Sequence, residues 1–307
     1  MTVGIVGNGF VGGAVRRGFQ QAFFRTKTYD IDPTRRTHLS WEVANCDLVF
    51  ICVPTPQQED SSALERPGYD LTYIREAFNM LTKRDKPHQP NPGTIYVIKS
   101  TVSPGATEQI AKEFGLEDRV VYNPEFLTER FADTDFLSAP HVVLGGPENA
   151  VAKVESVYCT AYTHWQDQYL TAVTPKYTTT DWGTAELIKL GLNCFFAVKI
   201  SFMNEMFGLC EDANLNFDDF VKGLERDGRV YPQHLEVPGH DKHFGFGGKC
   251  FPKDLNAMIA MLQDKILPYH TVLGAEETNR RVRPQEYLKD ENYNNIDVSS
   301  GQMGYSG

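Results

Sequence analysis

The six cysteines, Cys46, Cys52, Cys159, Cys194, Cys210 and Cys250, form no C-x-x-C pair and sit in no paired-histidine pattern. Neither a zinc site nor a disulfide framework is therefore expected to organise the chain. Long hydrophobic runs are also missing: the longest, residues 187–203, is broken by Lys189 and Lys199, so no membrane span is expected. Basic charge is in short supply, with 30 Lys and Arg against 40 Asp and Glu and a formal net charge of −10. Phosphate backbones would be repelled, and nucleic acid is not an expected partner. The N-terminus enters an apolar strand at once, without the charged and apolar regions of a signal peptide, so a reduced cytoplasm is the expected compartment. No internal repeat is present. A chain of 307 residues, 41% hydrophobic and 23% charged, has the composition of a soluble globular protein of about two domains.

What is there begins with residues 3–6, a short apolar run followed by Gly7, Gly9 and Gly12 in the spacing G-x-G-x-x-G. A helical segment follows over residues 11–24. In this arrangement the glycines permit a tight turn and a pyrophosphate rests on the helix N-terminus. Gly7, Gly9, Phe10, Val11 and Gly12 are thus the expected dinucleotide cradle. A second strand, residues 26–29, ends at Asp30, where the fold places an acid on the ribose hydroxyls. Asp30 favours NAD, because a carboxylate repels a 2′-phosphate, while Arg35 and Arg36 are the groups that would pair with that phosphate in NADP.

Apolar runs then alternate with helical spacing. Strands are expected at residues 47–53, 94–98, 120–122, 141–144 and 169–173, with helices at 71–81, 104–114 and 150–158. The alternation predicts a doubly wound parallel α/β sheet. Pro54 and Thr55 end one strand and Thr101 follows another, at the strand ends that line the ligand crevice of an open sheet. Thr101 fits a helix N-cap equally. Glu125 and Glu129, four residues apart, read from the sequence alone as exposed charges.

Residues 178–181 offer N-caps for a long helix over residues 183–209, whose apolar face is Leu187, Leu190, Phe195, Val198 and Phe202. Lys189 and Asn193 project from one side of it as a polar pair inside an apolar stripe, which is unfavourable unless they meet a ligand or a buried partner. A short helix at 217–224, a charged loop at 227–244 and helices at 254–263 and 271–283 complete the pattern. The loop holds His234, His240 and His243 without metal-ligand spacing, so no metal is expected. Residues 285–307 are polar and are expected to be disordered.

The densest chemistry lies at residues 245–254, GFGGKCFPKD. Cys250 sits in a glycine-rich turn with Lys249 and Lys253 beside it. A thiolate attacks an electrophilic carbon when positive charge and backbone N–H groups stabilise it. A buried, inert cysteine at a helix start fits the same residues, and the segment alone leaves the two readings even.

Taken together, GNGFVG at residues 7–12, VPTP at 53–56, KSTV at 99–102, NPEFL at 123–127, AELIKLGLN at 185–193 and GFGGKCFPKD resemble the UDP-glucose/GDP-mannose dehydrogenase family. The resemblance runs from residue 1 to about 281. It implies a Rossmann-like NAD-binding domain (residues 1–178) and a helical central domain carrying the cysteine loop (179–284). The implied reaction is four-electron oxidation of a nucleotide sugar, most like UDP-glucose, through a Cys250 thiohemiacetal and thioester. It also implies that Lys189 and Asn193 stabilise developing oxygen charge, Asp254 helps activate water, and Thr101 and Glu125 take part in proton removal. Glu129 falls near the cofactor together with Arg35, Pro54, Thr55 and Thr101. Phe126, Leu127, Arg229, Phe244, Phe246 and Gly247 join Lys189 and Asn193 around the substrate. A homodimer through the long helix is the implied assembly. Family members continue into a third domain that closes the cleft, and this chain is expected to be a short form or a fragment. The competing expectations are a two-electron β-hydroxyacid-type dehydrogenase using Lys189, and a binding protein without turnover.

Overall fold

The structure is a computed structural model of the chain and describes residues 1–57, 68–83, 90–127, 132–168, 174–248 and 250–283. Glu129, Lys249, the strand expected at 169–173 and the polar tail lie outside the described residues. The chain forms two compact units, Met1–Thr55 with Asp70–Lys189, and Pro56–Tyr69 with Leu190–Gly307.

Among the described residues the first unit is built on a sheet of seven strands. Its strands are β1 (Thr2–Val6), β2 (Arg25–Tyr29), β3 (Leu48–Ile51), β4 (Ile95–Ile98), β5 (Val120–Tyr122), β6 (His141–Gly145) and β7 (Lys176–Thr180), in spatial order β2-β1-β3-β4-β5-β6-β7. Alternate residues of β3 show why the strand reads as a continuous apolar run: Leu48 and Phe50 belong to one buried cluster, Val49 and Ile51 to the other. A strand covered on both faces has no polar side to display. Helices α1 (Phe10–Gln21) and α6 (Glu148–Gln168) supply one cover, with Phe19, Tyr158 and Trp165 buried at its centre. Helices α2 (Ser40–Ala44), α3 (Thr72–Thr82) and α4 (Ala106–Phe114) supply the other. A short α5 (Ala132–Leu137) carries Phe136, which packs against Phe19 and Trp165.

The doubly wound α/β sheet is as expected and mostly parallel, and two details differ. The sheet is mixed, because β6 meets β5 antiparallel through Tyr122 and Gly145 while every other pairing is parallel. The last strand is β7, so Thr178, Thr179 and Thr180 lie in the sheet, and Asp181 alone caps the next helix, accepting the Thr184 N–H at 2.8 Å. Three consecutive threonines suit a strand better than a cap, being β-branched.

Helix α7 (Trp182–Asp212) has 31 residues. The second unit adds α8 (Phe217–Arg226), α9 (Phe251–Asp264) and α10 (His270–Val282), and the described residues between α8 and α9 carry no helix or strand. No helix among the described residues is long and apolar enough to cross a membrane. On α7, Leu190 is buried, whereas Leu187, Phe195, Phe202 and Leu209 are 46, 64, 47 and 54% exposed. Their spacing of eight, seven and seven residues keeps them on one face.

Candidate active site

In the first unit the turn between β1 and α1 has the geometry of an anion cradle. A Cβ on Gly12 would lie 1.8 Å from the Gly7 carbonyl oxygen, and Gly7 itself has φ +86°. The protein's own backbone therefore requires both glycines. Gly9 is different: a Cβ there meets nothing within 4 Å, yet Gly9 is the N-cap of α1 and no side chain caps that helix. Uncapped N–H groups beside open space suit a pyrophosphate. Asp30, at the end of β2, accepts the Asn8 N–H at 2.6 Å and the Asp32 N–H at 2.9 Å, which fixes its carboxylate beside the turn. Asn8 also donates to the Arg35 carbonyl, while the Arg35 guanidinium is exposed and lies 3.3 Å from Asp32. The residues present fit a dinucleotide. Gly9→Ala is expected to weaken NAD binding about tenfold or more, since the new methyl group occupies the approach, with no more than about 1 kcal/mol of lost stability. Calorimetry and urea denaturation on the same preparation check both halves.

Past the ends of β3 and β4, Thr55 donates to the Thr101 carbonyl at 2.7 Å and Ser100 to the Val53 carbonyl at 2.6 Å. The N-cap reading of Thr101 does not hold, because α4 begins at Ala106 with Gly105 as its cap residue. Nor is Glu125 an exposed charge: its side chain is 10% exposed and lies 3.1 Å from the Lys189 ammonium, which is 4% exposed. The second Glu125 oxygen accepts the Leu127 N–H at 2.8 Å. Lys189 also stands 5.3 Å from the centroid of Phe126, whose other stacking partner is His141. Lys189 thus has the buried partner its position required.

Lys99, buried behind these residues, donates to the Asn123 side chain at 2.9 Å, and Tyr158 donates to the same oxygen at 2.7 Å. Burial lowers the Lys99 pKa from 10.5 to about 8. Below about pH 8 this lysine is charged both folded and unfolded, and the full burial penalty applies. Between about pH 8 and 10.5 the folded chain releases the proton first, so the penalty fades as pH rises. The stability advantage of Lys99→Met over the unsubstituted chain is therefore expected to shrink by on the order of 3 kcal/mol across that interval. Urea denaturation at pH 7.5 and 10 reads it, and a difference that stays constant contradicts it.

In the second unit Cys250 is exposed and stands at the N-cap of α9, with Pro252 in the first turn. The expectation of a buried cysteine at this helix start does not hold. One turn on, Asp254 is 1% exposed and held by three donors: Tyr69 Oη at 2.7 Å and Lys253 Nζ at 2.8 Å on Oδ1, and Asn193 Nδ2 at 2.6 Å on Oδ2. Lys253 pairs with Asp254 and lies over the face of Tyr69, 4.1 Å from its centroid. The glycine-rich turn is clamped from behind. Asn279 accepts the Phe246 N–H at 2.7 Å and donates to its carbonyl at 3.0 Å, Asn204 accepts the Gly245 N–H, and Arg283 bridges Asp241 and the Phe244 carbonyl. Phe246, expected to line the substrate site, is 3% exposed and packs against Phe251, whereas Phe244 is half exposed against Phe207. Gly247 follows it in the same clamped turn. Arg229 is exposed and forms a two-pronged pair with Asp227 at 2.5 and 2.8 Å. Among the described residues no cluster of three His, Cys, Asp or Glu side chains could hold a metal ion; His234 packs between Phe196 and Phe251.

Comparison with known proteins supplies the remaining observation. The NAD-binding-domain model of the UDP-glucose/GDP-mannose dehydrogenase family matches residues 34–165, and its central-domain model matches residues 183–281. The chain belongs to the UDP-glucose/GDP-mannose dehydrogenase family. UDP-glucose 6-dehydrogenase of Rickettsia bellii is 34% identical over 246 residues, 79% of this chain and 51% of the relative. UDP-glucose 6-dehydrogenase 3 of Oryza sativa subsp. japonica is 31% identical over 238 residues, 76% of this chain and 46% of the relative. The chain spans about half the length of the curated relatives it matches. A UDP-glucose dehydrogenase structure from the archaeon Pyrobaculum islandicum superposes with a TM-score of 0.74 at 25% identity, covering 91% of this chain and 68% of that one.

Within this dehydrogenase family member, sequence reasoning missed several residues. Glu186, fully buried, accepts the N–H groups of Gly105 at 2.6 Å and Thr107 at 2.8 Å, so it caps α4 from a helix 80 residues away in sequence. A signal was present: Glu186, Lys189 and Asn193 are spaced i, i+3, i+7 on one helix face. Asn279 shares the buried face of α10 with Ala275 and Glu276 at the same kind of spacing. Tyr69, beside Gly68 in a polar stretch, carried no such signal.

Proposed function

We propose that the chain oxidises the primary alcohol of a nucleotide sugar, UDP-glucose to UDP-glucuronate, to a carboxylate with two equivalents of NAD. The observation that carries the reading is an exposed Cys250 on a helix N-terminus, one turn from a buried Asp254 that is tied to Asn193. NAD, when bound, takes up the two hydrides. In the first half the alcohol loses its proton and becomes an aldehyde, with Glu125 and Thr101 as the proton-handling residues and Lys189 and Asn193 as donors to the oxygen as its charge grows. The Cys250 sulfur adds to the aldehyde carbon, and the thiohemiacetal becomes a thioester on the second oxidation. Water then attacks the acyl carbon, and the Cys250 sulfur leaves. A nucleophile is needed only if the product is the acid, which is why an exposed cysteine favours this route over a two-electron one.

Titrating the purified chain with UDP-glucose and NAD, and screening other UDP- and GDP-sugars by NADH absorbance, tests the activity and the sugar together. No NADH with any nucleotide sugar removes the proposal. For assembly, the exposed α7 stripe supports a homodimer. Phe202→Asp is expected to shift a dimer to monomer in sedimentation at micromolar concentration, and an unsubstituted chain that is already monomeric contradicts the dimer.

A further inference from the structure

We infer that Tyr69 is a positioning residue for the Asp254 carboxylate, an inference that rests on the function proposed above with Asp254 as the acceptor of the hydrolytic water's proton. The two residues are 185 positions apart, and both are buried, Tyr69 at 5% and Asp254 at 1% exposure. A carboxylate has about four acceptor positions. Three are filled, two on Oδ1 by Tyr69 and Lys253 and one on Oδ2 by Asn193. The fourth is the position from which a water could be held, and its direction is set by the other three.

The terminal torsion of an aspartate is broad, so its orientation comes from donors anchored on different elements. Lys253 is the preceding residue on α9 and moves with Asp254, which makes it a poor brake on that rotation. Tyr69 is anchored elsewhere. Its backbone pairs with Gln57 in an isolated antiparallel bridge, its hydroxyl reaches Oδ1, and its ring face holds the Lys253 ammonium at 4.1 Å. One side chain therefore fixes the carboxylate directly and also fixes the cation beside it. The step that depends on this orientation is thioester hydrolysis. The water oxygen forms a bond to the acyl carbon, the water proton passes to the fourth position on Asp254, and the carbon–sulfur bond breaks with Cys250 leaving as thiolate, with no change of oxidation state. The two hydride steps precede it and do not use that position.

Tyr69→Phe keeps the ring under Lys253 and removes the hydroxyl. Its kcat is expected to fall roughly tenfold to a hundredfold, the loss of one hydrogen bond to a charged group, with the KM for UDP-glucose within about twofold. A burst of NADH should precede the slow phase, and intact mass should show the acyl group on Cys250. Tyr69→Leu, which also removes the ring, should fall further. A second readout needs no turnover: in the protein labelled with [13Cζ]tyrosine, the resonance missing from Tyr69→Phe is expected to shift when Asp254 is replaced by Asn. Tyr69→Phe with unsubstituted kcat and no acyl adduct overturns the inference, as does a Tyr69 resonance that ignores Asp254→Asn. If the unsubstituted chain makes no NADH, the proposed function fails instead, and the resonance still decides the contact.

Discussion

Cys250→Ser is expected to abolish acid formation from UDP-glucose, by roughly a thousandfold or more, while leaving the fold and NAD binding intact. Cys250 is exposed, so exchanging sulfur for oxygen should cost less than about 0.5 kcal/mol of stability. The chemistry has no such tolerance. A serine hydroxyl stays protonated at neutral pH and is a weak nucleophile without an adjacent base, and an alkoxide is a poorer leaving group than a thiolate when water attacks the acyl carbon. Absorbance at the NADH maximum follows the rate, and intact mass of the quenched unsubstituted enzyme should carry the acyl group that the serine variant lacks. A serine variant that forms acid at the unsubstituted rate rules out the thioester route.

Lys189→Ala is expected to fail twice, once in stability and once in rate. The ion pair with Glu125 is nearly enclosed, at 4 and 10% side-chain exposure, and removing one partner leaves a buried carboxylate uncompensated, a loss of about 3–5 kcal/mol. Loss of a donor to the developing oxygen charge lowers kcat by about a hundredfold to a thousandfold. The two effects separate in a double substitution. Lys189→Met with Glu125→Gln removes both charges at once and is expected to recover most of the stability, because an enclosed pair is replaced by groups of similar size without net charge. Activity is expected to stay lost. Recovery of activity along with stability would reduce Lys189 to a structural role.

The first unit was largely legible from the chain because parallel strands covered on both faces leave near-continuous apolar runs: β3, β4 and β5 fall within the expected segments, and β1 begins one residue before its own. The dinucleotide turn was legible because Gly12 answers to the Gly7 carbonyl within the same turn and Gly7 to its own positive φ, local demands that spacing alone can report. Position 125 was misread for the opposite reason. The partner that buries Glu125 is Lys189, 64 residues on, and a lone carboxylate four residues from another looks like any solvated helix face. The same limit applies to Lys253, whose contacts with Asp254 and the ring of Tyr69 only the fold shows. Phe246 was placed at the substrate by the resemblance alone, and its anchor, Asn279, ties its backbone from a helix 33 residues away, which no local pattern reports. Local pattern reports what neighbours in sequence must do, and these contacts are made by neighbours in space.

The stoichiometry of the reaction tests the account most directly. With excess NAD and a measured amount of UDP-glucose run to completion, two NADH should appear for each sugar consumed, and the product should be the carboxylate. One NADH per sugar would mean that oxidation stops at the aldehyde level, and Cys250 would then have no part in the chemistry.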